Sequence, residues 1–398
     1  MWDAKTKQLV ADGKLVVLGV VQEQHADRAQ LYKQWKQYEF PIAQDSITGL
    51  GLAVVPVPIL IDEHGIVMST RPKVSQIDAL VAKKTTAPKT AAPVLDPEQT
   101  TSKWLIENAS GKKHAEIAIG DALLREGTLK SVLKSVKHYK AAASKATAQK
   151  AKSSQARISF RLGVAHRTLF DLTKGKQQDP EQFLMATKFW SEALEQNPNQ
   201  YIWRRRIQQY GPRQIKPYPF YDWVAQAQKD IAGRGEKPVA LVAALTESEI
   251  AKPGRTFTAA AAAKNPDPEG SINRDQDGMV SAYVNVVPRR VKPGKTVRVH
   301  VQLKPESGHW NNEASELVLW VNDSEHGKAS KSLLSVPNAE EASSSETRVL
   351  EFEFQTNKNA KEDFEISAYS LYYICTDDNG QCFYKRQDIP IKIDLDTN

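Results

Sequence analysis

The hydrophobic period of this chain changes along its length, and two stretches with no period divide it. Residues 83–103, opening with KKTTAPKTAAPVLDPEQTTS, are mostly Thr, Ala, Pro and Lys. Such a composition cannot bury enough apolar surface to offset the entropy of ordering it. Residues 236–270 loosen in the same way, with an alanine run and KNPDPEG. Both read as linkers. They leave three regions, 1–82, 104–235 and 271–398, each needing its own core. A chain of 398 residues with 40% apolar residues can supply several.

Composition excludes little else. The net charge of +7 is a mild excess, concentrated in one lysine-rich segment, with no basic motif that would point to nucleic acid. The longest apolar run, LGLAVVPVPILI (Leu50 to Ile61), is too short for a membrane span and is broken by two prolines. The opening MWDAKTKQLV has no apolar core of a signal peptide.

In the first region KLVVLGVV (Lys14 to Val21) is a nearly continuous apolar run, which predicts a strand covered on both faces. ADRAQLYKQWKQY follows, with Leu31, Trp35 and Tyr38 at helical spacing. VVPVPILIDEHGIVMS then reads as strand, turn, strand. This order resembles the second half of the thioredoxin fold, in the manner of peroxiredoxin and TlpA-like redoxins. In that family a Val-Pro-Thr segment with a cis proline leads into a Leu-Ile-Asp strand. Pro56 stands six residues before Asp62, as that proline does, with Val57 in place of Thr. The resemblance makes Pro56 the candidate cis-proline facing the active-site sulfurs. Without it, Pro56 is a proline that starts a strand.

The same resemblance implies a reactive Cys at the head of the helix before KLVVLGVV, where the helix end favours a thiolate. That helix is here only WDAKTKQLVA, with Gly13 as its stop, and neither the cysteine nor the strand before it is in the sequence. The strands at Lys14 and Pro58 are therefore expected to lack the neighbour between them. Two explanations are open: the natural chain starts further upstream, or another segment or a partner supplies the strand. On either, the first region carries no redoxin-type nucleophile.

The middle region is helical. ISFRLGVAHRTLF and FLMATKFWSEALEQNPNQ resemble the two helices of a tetratricopeptide repeat. Leu162 and Gly163 fall on its Leu-Gly, and Ala186, Trp190, Ala193 and Pro198 on its small, aromatic, small and Pro positions. A weaker copy, AIAIGDALLREG with TLKSVLKSVKHYKAA, precedes it. Such an array is either a spacer packed on its neighbours or a groove for protein partners. Lys130 to Lys152 reads as a solvated face, with acidic partners as the other reading. NQYIWRRRIQQYGPRQIKPYPFYDWV, with Arg204 to Arg206, reads as sealing the end of the array; a binding patch is the other reading.

The last region alternates: KTVRVHVQL, ELVLWV and RVLEFEFQT read as strands. It ends in YYICTDDNGQCFYKRQDIPI, which holds Cys375 and Cys382, the two cysteines of the chain. A two-residue turn at Asn379-Gly380 would leave the cysteines diagonal, at ~7–8 Å. A four-residue turn, Asp377 to Gly380, places them directly opposite, within bridging distance, and is the expected one. The pair is then a redox-active disulfide, a structural staple or two free thiols. Asp377 and Asp378 disfavour a thiolate, and no histidine is near in sequence to complete a zinc site. The region resembles the immunoglobulin-like N-terminal domain of thiol:disulfide interchange proteins of the DsbD type. That domain carries a redox Cys pair on a late hairpin. The spacing here is one residue longer, and the family's prolines after the second Cys are missing.

Other signals are weaker. Asn273, Asp275, Asp277 and Gly278 echo a calcium loop whose twelfth position is Val284 rather than Glu. GHWNNEASELVLWV, with His309 to Asn312, reads as a strand-entry turn, with a site as the other reading. The expected fold is multidomain: a partial α/β thioredoxin-like domain, a tetratricopeptide-like helical array and an all-β immunoglobulin-like sandwich. Cys375 and Cys382 are the candidate catalytic residues. No cofactor or metal is expected, and no nucleic acid or transmembrane segment. Partners are proteins, bound by the repeats or the hairpin, and the expected place is the periplasm or cell envelope if the true start carries a signal. The alternative is a non-enzymatic binding scaffold.

Overall fold

The computed structural model describes residues 2–88, 100–112, 114–215, 220–377 and 380–397. Most of the expected linker 83–103 lies outside them. In the first region α1 (Trp2–Ala11) stops at Gly13, whose φ of +68° lets its N–H reach back to Val10 O at 3.0 Å. β1 (Gly19–Val21) runs parallel to β2 (Ile42–Gln44) across α2 (Ala26–Lys36). β3 (Leu60–Ile61) and β4 (Val67–Ser69) form a separate antiparallel hairpin, and α3 (Ile77–Val81) follows. The long strand expected at Lys14 to Val21 is thus a correction, since only its last three residues are strand. Val16 is 85% exposed and Leu18 56%. No described strand lies between β1 and β3, and a strand persists only where its backbone groups find partners.

Seven helices follow: α4 (Ser102–Ala109), α5 (Ala115–Glu126), α6 (Leu129–Ala148), α7 (Lys152–Leu172), α8 (Pro180–Gln196), α9 (Tyr201–Gln208) and α10 (Val224–Gly233). Their ends have local causes. Gly127, at φ +67°, closes α5. Thr128 caps α6 by accepting from Ser131 N at 3.2 Å. Asp179 caps α8, with Pro180 in its first turn. One packing device recurs. A Cβ on Gly120 of α5 would lie 2.5 Å from the Tyr139 ring of α6, and one on Gly163 of α7 would lie 2.4 Å from Trp190 of α8. In each pair a missing side chain admits an aromatic ring that is fully buried. Lys130, Lys134 and Lys137 of α6 point to solvent.

The stretch 236–270, expected as a linker, is irregular but docked. It contains α11 (Glu247–Ile250), capped by Thr246. Glu249 is fully buried and pairs with Arg28 of α2 at 2.7 Å. Asp267 is buried too and pairs with Arg386 at 2.8 Å. Composition alone does not show such pairs, because each partner is distant in sequence.

The third region is β5 (Val280–Val287), β6 (Arg290–Val291), β7 (Thr296–Pro305), β8 (His309–Asn311), β9 (Leu317–Val321), β10 (Gly327–Ala329), β11 (Leu333–Val336), β12 (Ser343–Ser344), β13 (Arg348–Thr356), β14 (Phe364–Cys375) and β15 (Cys382–Leu395). One sheet has the order β10-β13-β7-β5 and the other β11-β9-β14-β15-β6, with β8 beside β14 and β12 beside β8. Val297, Val299 and Val301 of β7 share one buried cluster with Ile366, Ile391 and Ile393 of the second sheet. Period 2 then puts Arg298, His300 and Gln302 on the other face of β7. That face is not solvated. Arg298 pairs with Glu353 at 2.9 Å and donates to Gly211 O, while His300 lies between Glu351 and Tyr210 O. Thr187 of α8 donates to Asn285 of β5 at 3.1 Å. The helices therefore cover the outer face of the first sheet.

Several carboxylates here are held ionised. Burial pushes Asp171 up, but Arg167 and His25 outweigh it and bring it down to about 2. Burial opposes Glu249 and Glu351 likewise. Arg28 and Arg167 prevail at the first, and His300 and Arg298 at the second, so both lie below the ordinary range.

A depressed carboxylate contributes stability above its unfolded pKa and loses it as pH falls through its folded value. Urea midpoints are therefore expected to hold down to about pH 4.5 and to fall steadily from there towards about pH 2. Arg28→Ala leaves Glu249 buried and unpaired and should cost about 3–5 kcal/mol, read from the same curves. Gly163→Ala must displace the Trp190 ring and should cost about 1–3 kcal/mol.

Candidate functional site at the cysteine hairpin

β14 and β15 are long, and their register runs without a break to the tip. Tyr373 faces Tyr384, Ile374 faces Phe383, and Cys375 faces Cys382. The two cysteines are joined as a disulfide, with α-carbons 3.9 Å apart. This is the register of the expected four-residue turn. Thr376 N donates to Gln381 O at 2.9 Å beyond the bridge; Asp378 and Asn379 lie outside the described residues. Alternation places the bridge on the outer face of the sheet, next to Tyr373 and Tyr384, whose rings stack at 4.4 Å.

The two sulfurs have different surroundings. Cys375 is 4% exposed, whereas Cys382 is open to solvent. β8 makes the difference. It pairs with β14 so that Trp310 faces Ile374 and His309 faces Cys375. Gly308 begins this approach at φ +85°, and a Cβ there would lie 2.1 Å from the Cys375 carbonyl oxygen. On the other flank β6 meets β15 only at Asp394 and Leu395, and Arg274 bridges it at Arg386. Among the described residues no strand covers Cys382 on that side.

Two polar side chains of β8 attend the bridge. Asn311 Nδ2 donates to Cys382 Sγ at 3.7 Å. His309 Nδ1 lies 3.0 Å from Asp377 Oδ1. Beneath them the support is rigid. The Trp310 indole N–H donates to Glu346 O at 2.8 Å, and the Tyr372 hydroxyl donates to Asp275 at 2.9 Å. Burial and Asp275 push the Tyr372 hydroxyl well up, so it stays a donor. Asp275 also accepts from Met279 N and Val280 N. The calcium-like echo in the sequence is thus a turn that anchors the hairpin's base. Among the described residues no cluster of His, Cys, Asp or Glu could hold a metal ion, and no helix is long and apolar enough to cross a membrane.

A site at His309 to Asn312 was the second reading of GHWNN in the sequence, after a strand-entry turn, and nothing there tied it to the cysteines. GHWNN was distinctive there, but its distance from the cysteines hid the pairing of β8 with β14. Pro56 stands apart from the hairpin. It is exposed in the first region, ahead of β3, and the Val55–Pro56 bond is cis, as is Val287–Pro288.

No protein-family model matches this chain, and no curated protein matches it. Among solved structures it is similar to one titled "AvmM Catalyzes Macrocyclization in Alchivemycin A Biosynthesis", at 9% identity over 30% of this chain and 91% of the other, with a TM-score of 0.16. It is also similar to the Pseudomonas fluorescens alkylpurine DNA glycosylase AlkC bound to DNA with an abasic site analog. That match has 10% identity over 77% of this chain and 83% of the other, again with a TM-score of 0.16. Scores so low carry no argument about fold or activity.

Asn311 is placed to stabilise negative charge on Cys382. In a Cys375→Ala background, Asn311→Leu should slow alkylation of Cys382 by iodoacetamide about tenfold at neutral pH. An unchanged rate would show that the contact matters only in the disulfide.

Proposed function

We propose that this chain is a redoxin-related multidomain protein whose Cys375–Cys382 hairpin exchanges thiol and disulfide with a dithiol protein. The observation that carries the reading is the asymmetry of the bridge: one sulfur open, its partner shielded by β8. A partner thiolate attacks Cys382 Sγ. The Cys375–Cys382 bond breaks, Cys375 leaves with the electron pair and takes a proton, and a mixed disulfide forms at Cys382. The partner's second thiolate then attacks its own sulfur in that mixed bond and releases Cys382. The partner dithiol is oxidised and the hairpin reduced by the same two electrons. The reverse sequence passes oxidising equivalents the other way. Asn311 stabilises the released Cys382.

The regions around the hairpin agree with this reading. The first is thioredoxin-like in its order of elements, with Pro56 in the cis-proline position. The helical region is a tetratricopeptide-like array, supported by its recurring glycine–aromatic contacts. The β region is an immunoglobulin-like sandwich of the DsbD N-terminal kind, supported by its two sheets and late cysteine hairpin. The compartment that suits such chemistry is the cell envelope.

A second reading is a non-enzymatic scaffold in which the disulfide is a staple. It is favoured by the way the array binds its own chain: Trp203 donates to Thr48 at 3.2 Å and Arg206 to Gln24 at 2.6 Å.

Equilibration with dithiothreitol and with a reduced thioredoxin separates the two. Exchange predicts a reversible transition at a potential above about −300 mV with the fold retained. It also predicts that a reduced thioredoxin whose resolving cysteine is replaced forms a mixed disulfide with the oxidised hairpin, mapped to Cys382 and not to Cys375. A potential below that range, with no trapped species, would leave the scaffold.

A further inference from the structure

A second site lies away from the hairpin, where the helices meet the first sheet. The turn after α7, residues 242–247 and the outer face of β7 and β13 enclose a cleft of about 500 Å³. Its size and its place between regions are those of small-molecule sites. Phe170, Phe183 and Leu245 supply apolar wall. Its carboxylates are already neutralised. Asp171 pairs with Arg167 at 3.0 Å, Glu247 with Lys331 at 2.8 Å, Glu346 with Arg348 at 3.0 Å and Glu351 with Arg298 at 3.5 Å. The exposed Lys174 adds one solvated cation. Such a lining does not select an ion.

Two of its polar groups remain unsatisfied. Gln302 is 1% exposed, and its Oε1 has no hydrogen-bond partner; the Thr347 hydroxyl is also buried without one. Both residues line the cleft. A buried acceptor that has given up water without gaining a donor is costly, and native structures rarely keep one idle. Sequence gives no hint of it, since Gln302 stands in the alternating run KTVRVHVQL as an outward, solvated residue.

We infer that this cleft binds a small neutral molecule with an apolar body and an amide, whose N–H meets Gln302 while its ring or branched chain packs on Phe170 and Phe183. The site shares no residue with the disulfide, so it stands or falls independently of the exchange reading.

Benzamide and toluene are the probes, titrated into the full chain and followed by isothermal calorimetry and protein-observed NMR. Benzamide should bind saturably, about tenfold tighter than toluene, with shifts at Gln302, Phe183 and Leu245. Gln302→Leu should keep toluene binding, which shows that the cleft is still formed, and should lose the preference for benzamide. Equal affinities, shifts that map elsewhere, or no saturable benzamide binding because ordered water already satisfies Gln302 would each overturn the inference.

Discussion

Glu351 of β13 is almost fully buried, and three partners hold it. His300 lies beside it across the sheet at 3.0 Å, Arg298 stands two residues along β7 at 3.5 Å, and the amide of Ser248 reaches it from the segment before the sandwich. His300 in turn meets the Tyr210 carbonyl, and the Tyr210 hydroxyl accepts from Arg167 of α7. Arg167 pairs with Asp171, which His25 of the first region also contacts. One chain of hydrogen-bonded polar and charged groups therefore runs from the β region through the helices to the N-terminal segment. Burying such charges is expensive, and apolar residues of equal size can be more stable. What they add is selectivity. Each charge tolerates only the partner that neutralises it, so the regions can dock in few ways.

This explains why a segment with the composition of a linker is ordered. Apart from Val239, Leu241 and Leu245, which pack on the cluster around Leu31 and Ile231, residues 236–270 bring little to an apolar core. They are held by Glu249 on Arg28, by Ser248 on Glu351 and by Asp267 on Arg386. The cleft with its idle Gln302 lies along the same seam, where helix, segment and sheet meet without closing completely.

The hairpin follows a different logic. Its geometry is local, set by the register of two strands, and its asymmetry is not. β8 arrives from some sixty residues earlier in the chain and shields one sulfur while leaving the other open. Gly308 permits that approach because any side chain would strike the Cys375 carbonyl. The chemistry proposed for the pair depends on this difference between the sulfurs, and the difference belongs to the sheet rather than to the hairpin.

The helices of the middle, the strands of the end and the opposed cysteines were legible in the residues. Each rests on interactions within a few positions: periods of 3.6 and 2, caps at Thr128 and Asp179, a glycine stop at Gly13. Leu15 to Val21 misled for the complementary reason. Its apolar run is a strand in composition, but a strand also needs a neighbour, and for most of that run none is described. The sequence by itself determined the middle helices, the long strands of the third region and that Cys375 meets Cys382. The tertiary structure alone decided that Arg298, His300 and Gln302 are buried, that Glu249 meets Arg28, and that His309 and Asn311 attend the disulfide. Those contacts join residues far apart in the chain, and no local pattern encodes the partner that makes a buried charge affordable.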